Sequence, residues 1–320
     1  MFVYCSPAGG SDAAAAQGVR PSREGKSDPV EFHILGPLQA VDGGRQIRLP
    51  GPRPRLVLAV LLLEPGRVIS VDRLVETVWD GEPPASMRTQ IAIAVSALRR
   101  TFREAGLGDV IETVSPGYRI KAGARIDACI AEEHVAAARA AAADGRAEEA
   151  AVLYRKALAL WRGPVLAGLD SSRIITCGLR WEELRLTVVE ELAELDLARG
   201  HHHQVAGELM ALVAENPFRE RLRAQLMTAL ARSGRQAESL AVYQEGRRIL
   251  KDELGLEPGR ALRDLHEAIL KDAPSVQQRP TPLHVSAPTA VRAGLAAPCR
   301  HRGRHRAGGL RRAAVHHSGL

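Results

Sequence analysis

The spacing of apolar residues changes once along this chain, near residue 125. Before that point, short apolar stretches alternate with turn-forming residues. From Asp127 to about Ala273, apolar residues recur at the period of an α-helix almost without interruption. The cores must be built from Leu, Ala and Val, because the 320 residues include only four Phe, four Tyr and three Trp. The pattern predicts an α+β fold in two parts, of which the second is all-α.

The first part combines short strands with three helices and ends in a hairpin. Gly43-Gly44 between two apolar segments predicts a hairpin turn, and Ser70 is a suitable N-cap for the second helix. The predicted strands are 30–35, 38–41, 46–49, 68–70, 110–114 and 118–121, and the predicted helices are 56–63 after a proline-containing first turn, 71–79 and 85–105. This order of elements is typical of a winged helix-turn-helix.

The third helix has one apolar face and one polar, basic face. Its apolar face carries Ile91, Val95, Leu98 and Phe102 at helical spacing, and the opposite face carries hydroxyls, one exposed isoleucine and arginines. Hydroxyls can bond base edges, an isoleucine can contact a thymine methyl, and arginines can hold phosphates. The predicted DNA-binding residues on this helix are Thr89, Ile93 and Ser96 for bases and Arg88, Arg99, Arg100 and Arg103 for phosphates.

Two further groups of residues complete the predicted DNA interface. Ser115, Arg119 and Lys121 lie in the hairpin, where they could reach the adjacent minor groove or backbone. Arg53 and Arg55 open the first helix and could reach phosphate. Residues 85–125 carry seven basic and three acidic residues, which supports a basic surface here. A solvated helix face and an ordinary hairpin would carry the same charges, and on the residues alone this alternative stays open.

The net charge of +7 does not itself indicate DNA binding, because it reflects the C-terminal segment. Residues 276–320 carry eight arginines, five histidines and no acidic residue, and we expect a disordered basic tail there. Residues 1–28 are predicted to be a disordered N-terminal tail. The composition of the C-terminal tail is also what a GC-rich gene gives when it is read out of frame, so a frameshift remnant is a second hypothesis for it.

The second part is predicted to be a stack of helical hairpins. The predicted helices are 128–143, 146–161, 178–199, 203–215, 218–232, 236–252 and 259–271. Gly200 and Gly234 lie 34 residues apart, which is the tetratricopeptide period, and such units stack around a concave binding surface. A linker is expected near residues 123–127, so a fragment that ends at Arg125 should fold by itself.

Other classes of function find little support in the sequence. His201, His202 and His203 are adjacent and cannot all face one ion, and we expect neither a metal nor a cofactor. Enzyme motifs such as GxSxG, HExxH and a phosphate loop are absent, so we do not expect an enzyme. No apolar run is long enough to span a membrane, and the four scattered cysteines suit a reducing compartment. The expected location is the cytoplasm, in association with the nucleoid.

Several stretches resemble the Streptomyces antibiotic regulatory proteins, which are transcriptional activators of actinomycete biosynthetic clusters. They cover about residues 30–272 in family order and include ILGPLQAVDGGRQIRL, VSALRRTF, SPGYRI and RWEELRLTVVEELAELDLARG. The resemblance implies an OmpR-type winged helix at 29–124, the output fold of two-component regulators. It also implies a tetratricopeptide-like bacterial transcriptional activation domain at 125–275.

The same resemblance implies binding to direct repeats near the −35 region of promoters, head-to-tail self-association on double-stranded DNA, and recruitment of RNA polymerase. Two departures are visible. The third helix carries the small or apolar run Ile91-Ala92-Ile93-Ala94 where relatives often carry larger polar residues, and the phosphate loop of larger relatives is absent. The alternative function is a tetratricopeptide-like interaction adaptor whose DNA recognition has degenerated.

Overall fold

The first part of the chain builds two small sheets around three helices. The computed structural model describes residues 30–79, 83–169 and 171–271. In chain order, the elements of this part are β1 (Glu31–His33), β2 (Gln39–Asp42), β3 (Arg45–Ile47), α1 (Pro52–Leu63), β4 (Ile69–Ser70), α2 (Val71–Val78), α3 (Met87–Glu104), β5 (Ile111–Val114), β6 (Gly117–Ile120) and β7 (Arg125–Ile126). The predicted order of elements is confirmed.

The two sheets differ in the number and order of their strands. In the first, the strand order is β3-β2-β1-β7, with β7 parallel to β1 and the other pairs antiparallel. Gly43 and Gly44 both have positive φ in the turn between β2 and β3, which glycine adopts without steric cost. In the second sheet the order is β4-β6-β5, so the hairpin β5-β6 is attached to the body of the fold through β4.

The three helices of this part pack around one apolar core. Every residue of α1 from Leu56 to Leu63 is buried, as its uniformly apolar sequence predicts. In α3 the buried residues include Ile91, Val95, Leu98 and Phe102, and the Phe102 ring meets the Phe32 ring of β1 edge to face at 5.8 Å. Burial of this stripe turns the opposite face of α3 outward.

Over the described residues from 127 to 271, seven helices make up the second part. They are α4 (Asp127–Ala143), α5 (Ala147–Leu158), α6 (Ser172–Ala198), α7 (His202–Glu215), α8 (Glu220–Arg232), α9 (Gln236–Leu254) and α10 (Arg260–Leu270). The prediction missed the start of α6 by six residues. Ser171 begins this helix as N-cap, because its Oγ accepts a hydrogen bond from the Ile174 N–H.

Three of the helix–helix turns share one geometry. Gly145, Gly200 and Gly234 have positive φ and end α4, α6 and α8. In each turn the residue after the glycine donates its N–H to the carbonyl five residues earlier, at 2.9 Å. This is the Schellman arrangement, which satisfies carbonyls at the end of a helix and reverses the chain. The second part is therefore built from helical hairpins, and the period of 34 residues between Gly200 and Gly234 reflects two successive hairpins.

The linker expected near residues 123–127 is wrong. Residues 125–126 form β7, which pairs with β1, and Asp127 is a buried residue whose carboxylate reaches back to the first sheet. It accepts hydrogen bonds from the N–H groups of Ile34 at 2.8 Å and Leu35 at 3.1 Å. Burial raises the pKa of Asp127, and these two hydrogen bonds act against that rise. The boundary between the two parts is thus an ordered contact.

The connection between α5 and α6 adds to that contact. The Arg162 N–H donates to the Leu35 carbonyl at 2.7 Å, and the Leu166 N–H donates to the Ile34 carbonyl at 3.0 Å. Four large apolar side chains of the second part, Leu166, Leu169, Ile174 and Trp181, belong to the same hydrophobic cluster as Phe32 and the α1 residues. The two parts therefore share one core.

Both predicted tails, 1–28 and 276–320, lie outside the described residues, and so does the frameshift hypothesis. Within the described ranges, no helix is long and apolar enough to cross a membrane.

Candidate nucleic-acid interface

The outward face of α3 carries four of the seven side chains that are predicted to contact DNA from this helix. Thr89, Ile93, Ser96 and Arg100 are all exposed. Ile93 is 62% exposed, although a branched apolar side chain of this size is usually buried. A helix that presents hydroxyls and one apolar group to solvent can enter a major groove, where such groups meet base edges and thymine methyls.

Two of the arginines beside this face pair with exposed carboxylates. Arg88 forms an ion pair with Asp72 of α2, and Arg100 lies 4.0 Å from Glu104 one turn further along α3. Arg103 is exposed in the last turn. Exposed ion pairs contribute at most about 1 kcal/mol, so a phosphate can replace the carboxylate at little cost.

The hairpin β5-β6 stands beside α3 and carries the three predicted wing residues. Ser115 and Lys121 are exposed. Arg119 is half-buried, and its Nε donates to the Glu112 carboxylate across the hairpin at 2.7 Å. Sequence reasoning missed Glu112. Its position opposite Arg119 follows from the register of a hairpin that turns at residues 115–116, so a register argument could have found it.

A close backbone contact sets the position of the hairpin. Gly117 is paired with Ser70 of β4, and a Cβ at Gly117 would lie 1.8 Å from the Ile69 carbonyl oxygen. Only glycine permits this approach of two backbones. The wing is therefore fixed to the body of the fold at its base.

Arg99 differs from the other arginines of α3. Its guanidinium turns toward the hairpin, where Nη2 donates to the Ile111 carbonyl and to Thr113 Oγ1, both at 2.8 Å. The structure therefore does not place Arg99 with the exposed residues of α3, and the phosphate contact predicted for it remains a prediction.

The two arginines of α1 lie at its first turn. Arg53 is exposed, and its Cζ lies 5.6 Å from the centre of the Trp79 ring. Arg55 is half-buried. Both stay predictions as phosphate contacts, and the exposure of Arg53 makes it the more accessible of the two.

His201 and His202 have different surroundings. His201 Nδ1 lies 3.3 Å from the buried Asp196 carboxylate, and burial together with nearby Arg232 lowers the pKa of His202. No group of three or more His, Cys, Asp or Glu residues that could hold a metal ion occurs within the described ranges.

Comparison with known families matches both parts of the fold. Residues 44–120 match the family model for the C-terminal domain of transcriptional regulatory proteins, and residues 126–270 match that for the bacterial transcriptional activator domain. Together with the winged-helix geometry, these matches define a DNA-binding transcriptional regulator.

The relatives specify the family. The chain is 34% identical to the regulatory protein DnrI of Streptomyces peucetius over 78% of this chain and 95% of DnrI. It is 38% identical to the regulatory protein AfsR of Streptomyces coelicolor over 81% of this chain, but it spans only 26% of AfsR. The chain belongs to the Streptomyces antibiotic regulatory protein family.

A solved structure shows the same fold. It is the structure of Mycobacterium tuberculosis EmbR in complex with a low-affinity phosphopeptide, and EmbR is 34% identical to this chain. The two match with a TM-score of 0.73 over 79% of this chain and 69% of the EmbR chain. The predicted fold, a winged helix followed by an all-helical activator domain, is therefore confirmed.

Proposed function

We propose that this chain is a sequence-specific transcriptional activator that binds direct repeats near the −35 region of promoters and recruits RNA polymerase. The observation that carries the proposal is the exposed stripe Thr89, Ile93 and Ser96 on α3, with arginines on either side and the hairpin next to it. The stripe supplies groups that read bases, and the arginines supply groups that hold phosphates. The match to a bacterial transcriptional activator domain supports activation.

The family supports a proposal for the class of target genes. Its members resemble this chain over both domains, and we propose a secondary-metabolite biosynthetic cluster as the target. The test is a gel-shift assay with upstream DNA of the genes that neighbour this one, in parallel with selection from a random-sequence duplex library. Enrichment of one sequence in direct repeats is expected. Equal binding to all duplexes would contradict the proposal and favour the alternative, an interaction adaptor that has lost base recognition.

Two substitutions on α3 should affect DNA binding in different ways. Ile93→Asn replaces the apolar contact and should change the preference among duplexes by about 1–3 kcal/mol. Arg100→Ala removes a phosphate contact, so it should weaken binding to all duplexes and reduce the slope of log K against log salt by about one. Fluorescence anisotropy at several salt concentrations measures both effects.

The matched control for these variants is Arg260→Ala on α10. The Arg260 side chain is 87% exposed and pairs with Asp264 one turn along the same helix. The Arg260→Ala substitution removes the same charge as Arg100→Ala at a position far along the chain from α3. We expect this variant to bind DNA like the parent. If Ile93→Asn and Arg100→Ala also bind selected and random duplexes like the parent, the assignment of α3 as the recognition helix is wrong.

Cooperative binding should depend on the helical phase of the two repeats. Head-to-tail copies use two different surfaces, and both copies must lie on one face of the duplex. Repeats should therefore be spaced by about one helical turn, roughly 10–11 bp. Insertion of about half a turn between the repeats should abolish cooperativity in a footprinting titration and leave the affinity of each single site unchanged. Unchanged cooperativity would refute the head-to-tail geometry.

A further inference from the structure

The side chain of Arg99 joins α3 to the hairpin. Its Nε lies 3.1 Å and its Nη2 2.8 Å from the same carbonyl oxygen of Ile111, and Nη2 also lies 2.8 Å from Thr113 Oγ1. The Cζ atom lies 5.9 Å from the centre of the Tyr118 ring. One guanidinium thus contacts both strands of the hairpin through three different residues.

The register of the hairpin explains why the Ile111 carbonyl needs such a partner. The Lys121 N–H donates to the Val110 carbonyl at 2.9 Å, so residues 110 and 121 form a hydrogen-bonded pair. The next pair, Ile111 and Ile120, is then of the non-hydrogen-bonded type, whose backbone groups point away from the partner strand. Because β5 is the edge strand of its sheet, no other strand of the described residues receives the Ile111 carbonyl, and Arg99 takes that place.

Arg99 and Arg100 point in different directions, although they are adjacent. Successive residues of a helix are rotated by about 100°, so only one of the two can lie on the exposed stripe. The Arg100 side chain is 74% exposed, whereas Arg99 is half-buried against the hairpin. The two arginines therefore differ in what they can contact when α3 approaches DNA.

We propose that Arg99 is a positioning residue, which holds the wing at a fixed angle to the recognition helix. The inference rests on the proposed sequence-specific binding. In the proposed complex, α3 reads bases while Lys121 of the wing contacts the DNA backbone. Both contacts can form together only if α3 and the hairpin keep a constant separation. A planar guanidinium that binds two acceptors and lies over a ring fixes both distance and angle, and a lysine ammonium cannot reproduce this geometry.

The test compares Arg99→Lys and Arg99→Ala with Arg103→Ala, which removes an exposed arginine from the same helix. Each variant is measured against the duplex that the parent selects from a random library and against the unselected library. Both Arg99 variants should lose about tenfold in preference for the selected duplex, which is the scale of one hydrogen bond to a charged group. They should keep the salt slope of the parent. Arg103→Ala should instead lower the salt slope by about one with both DNAs.

Hydrogen exchange of the free protein gives a readout that does not depend on DNA. The Lys121 amide, which donates to the Val110 carbonyl at the open end of the hairpin, should exchange faster in Arg99→Lys than in the parent and in Arg103→Ala. Thr113→Val removes only the hydroxyl acceptor and should produce a smaller change in the same direction. In the double variant that combines Thr113→Val with Arg99→Lys, the Lys121 amide should exchange no faster than in Arg99→Lys alone.

The opposite pattern would overturn the inference. If Arg99→Lys binds like the parent, if Arg99→Ala lowers the salt slope by about one, and if exchange in the hairpin is unchanged, Arg99 contacts phosphate and does not position the wing. A parent that selects no sequence would overturn the proposed function instead, and the exchange measurement would still decide whether Arg99 holds the hairpin.

Discussion

A fragment that ends at Arg125 should not unfold cooperatively, although it contains the entire winged helix as the sequence delimits it. Ile34 and Leu35 are fully buried, and their two N–H groups and two carbonyls are bonded to Asp127, Leu166 and Arg162. Truncation leaves these backbone groups without partners, and each such group costs about 1–3 kcal/mol.

The same truncation opens the shared core. It removes Leu166, Leu169, Ile174 and Trp181, and Trp181 is only 2% exposed. Burial of a large apolar side chain contributes about 1.5–3 kcal/mol. Domains are stable by only about 5–15 kcal/mol, so the combined loss should abolish the folded state.

The matched control is a fragment that ends at Arg199, just after α6. It keeps the shared core and the cluster that joins α4, α5 and α6, and it removes only the later helices. Thermal unfolding followed by far-ultraviolet circular dichroism should show a cooperative transition for this fragment and none for the shorter one. A sharp transition in the fragment that ends at Arg125 would show that the winged helix is autonomous, as the linker hypothesis assumed.

Asp127→Ala should be the most destabilising single substitution among those considered. The side chain is buried, and its carboxylate accepts hydrogen bonds from Ile34, Leu35 and Ala128 and lies 3.4 Å from Arg162 Nη2. Alanine leaves buried N–H groups unpaired, which destabilises the protein. It also removes the cost of burying a carboxylate, the same burial that raises the pKa of Asp127. We expect a net loss of about 3 kcal/mol in the free energy of unfolding in urea, or roughly 10 °C in Tm.

Two other variants define the cause of that loss. Asp127→Asn keeps one acceptor oxygen and should lose less than alanine does. Asp144→Ala removes an exposed carboxylate that pairs with Arg146 at 2.9 Å, and it should change stability by no more than about 0.5 kcal/mol. If Asp127→Ala and Asp144→Ala are equally stable, the hydrogen bonds of Asp127 do not hold the two parts together.

The helix α6 and its N-cap also contact α2 directly. Ser171 Oγ donates to the Thr77 carbonyl near the end of α2 at 2.8 Å, and Arg173 pairs with Glu76 at 3.0 Å. The long helix α6 is thereby attached to α2, the helix that precedes α3.

Local patterns were sufficient to predict most of the fold and the exposed face of α3. The alternation of apolar and polar residues within one helix determines which side is buried, and so Ile91, Val95, Leu98 and Phe102 identified Thr89, Ile93 and Ser96 as the outward face. The glycines that end helices and the Gly43-Gly44 turn act within a few residues of chain. The motifs that identify the family are likewise read along the chain.

Tertiary structure alone decided what the half-buried and buried polar residues do. Asp127 meets Ile34 across 93 positions of sequence, and no local pattern encodes a contact of that separation. Arg99 and Arg100 have the same residue type and adjacent positions, yet the hairpin lies within reach of only one of them. The sequence by itself determined the elements, their buried faces and the family. The packing of distant elements decided the shared core and the direction of Arg99, because long-range hydrogen bonds depend on which surfaces meet and not on periodicity within any one of them.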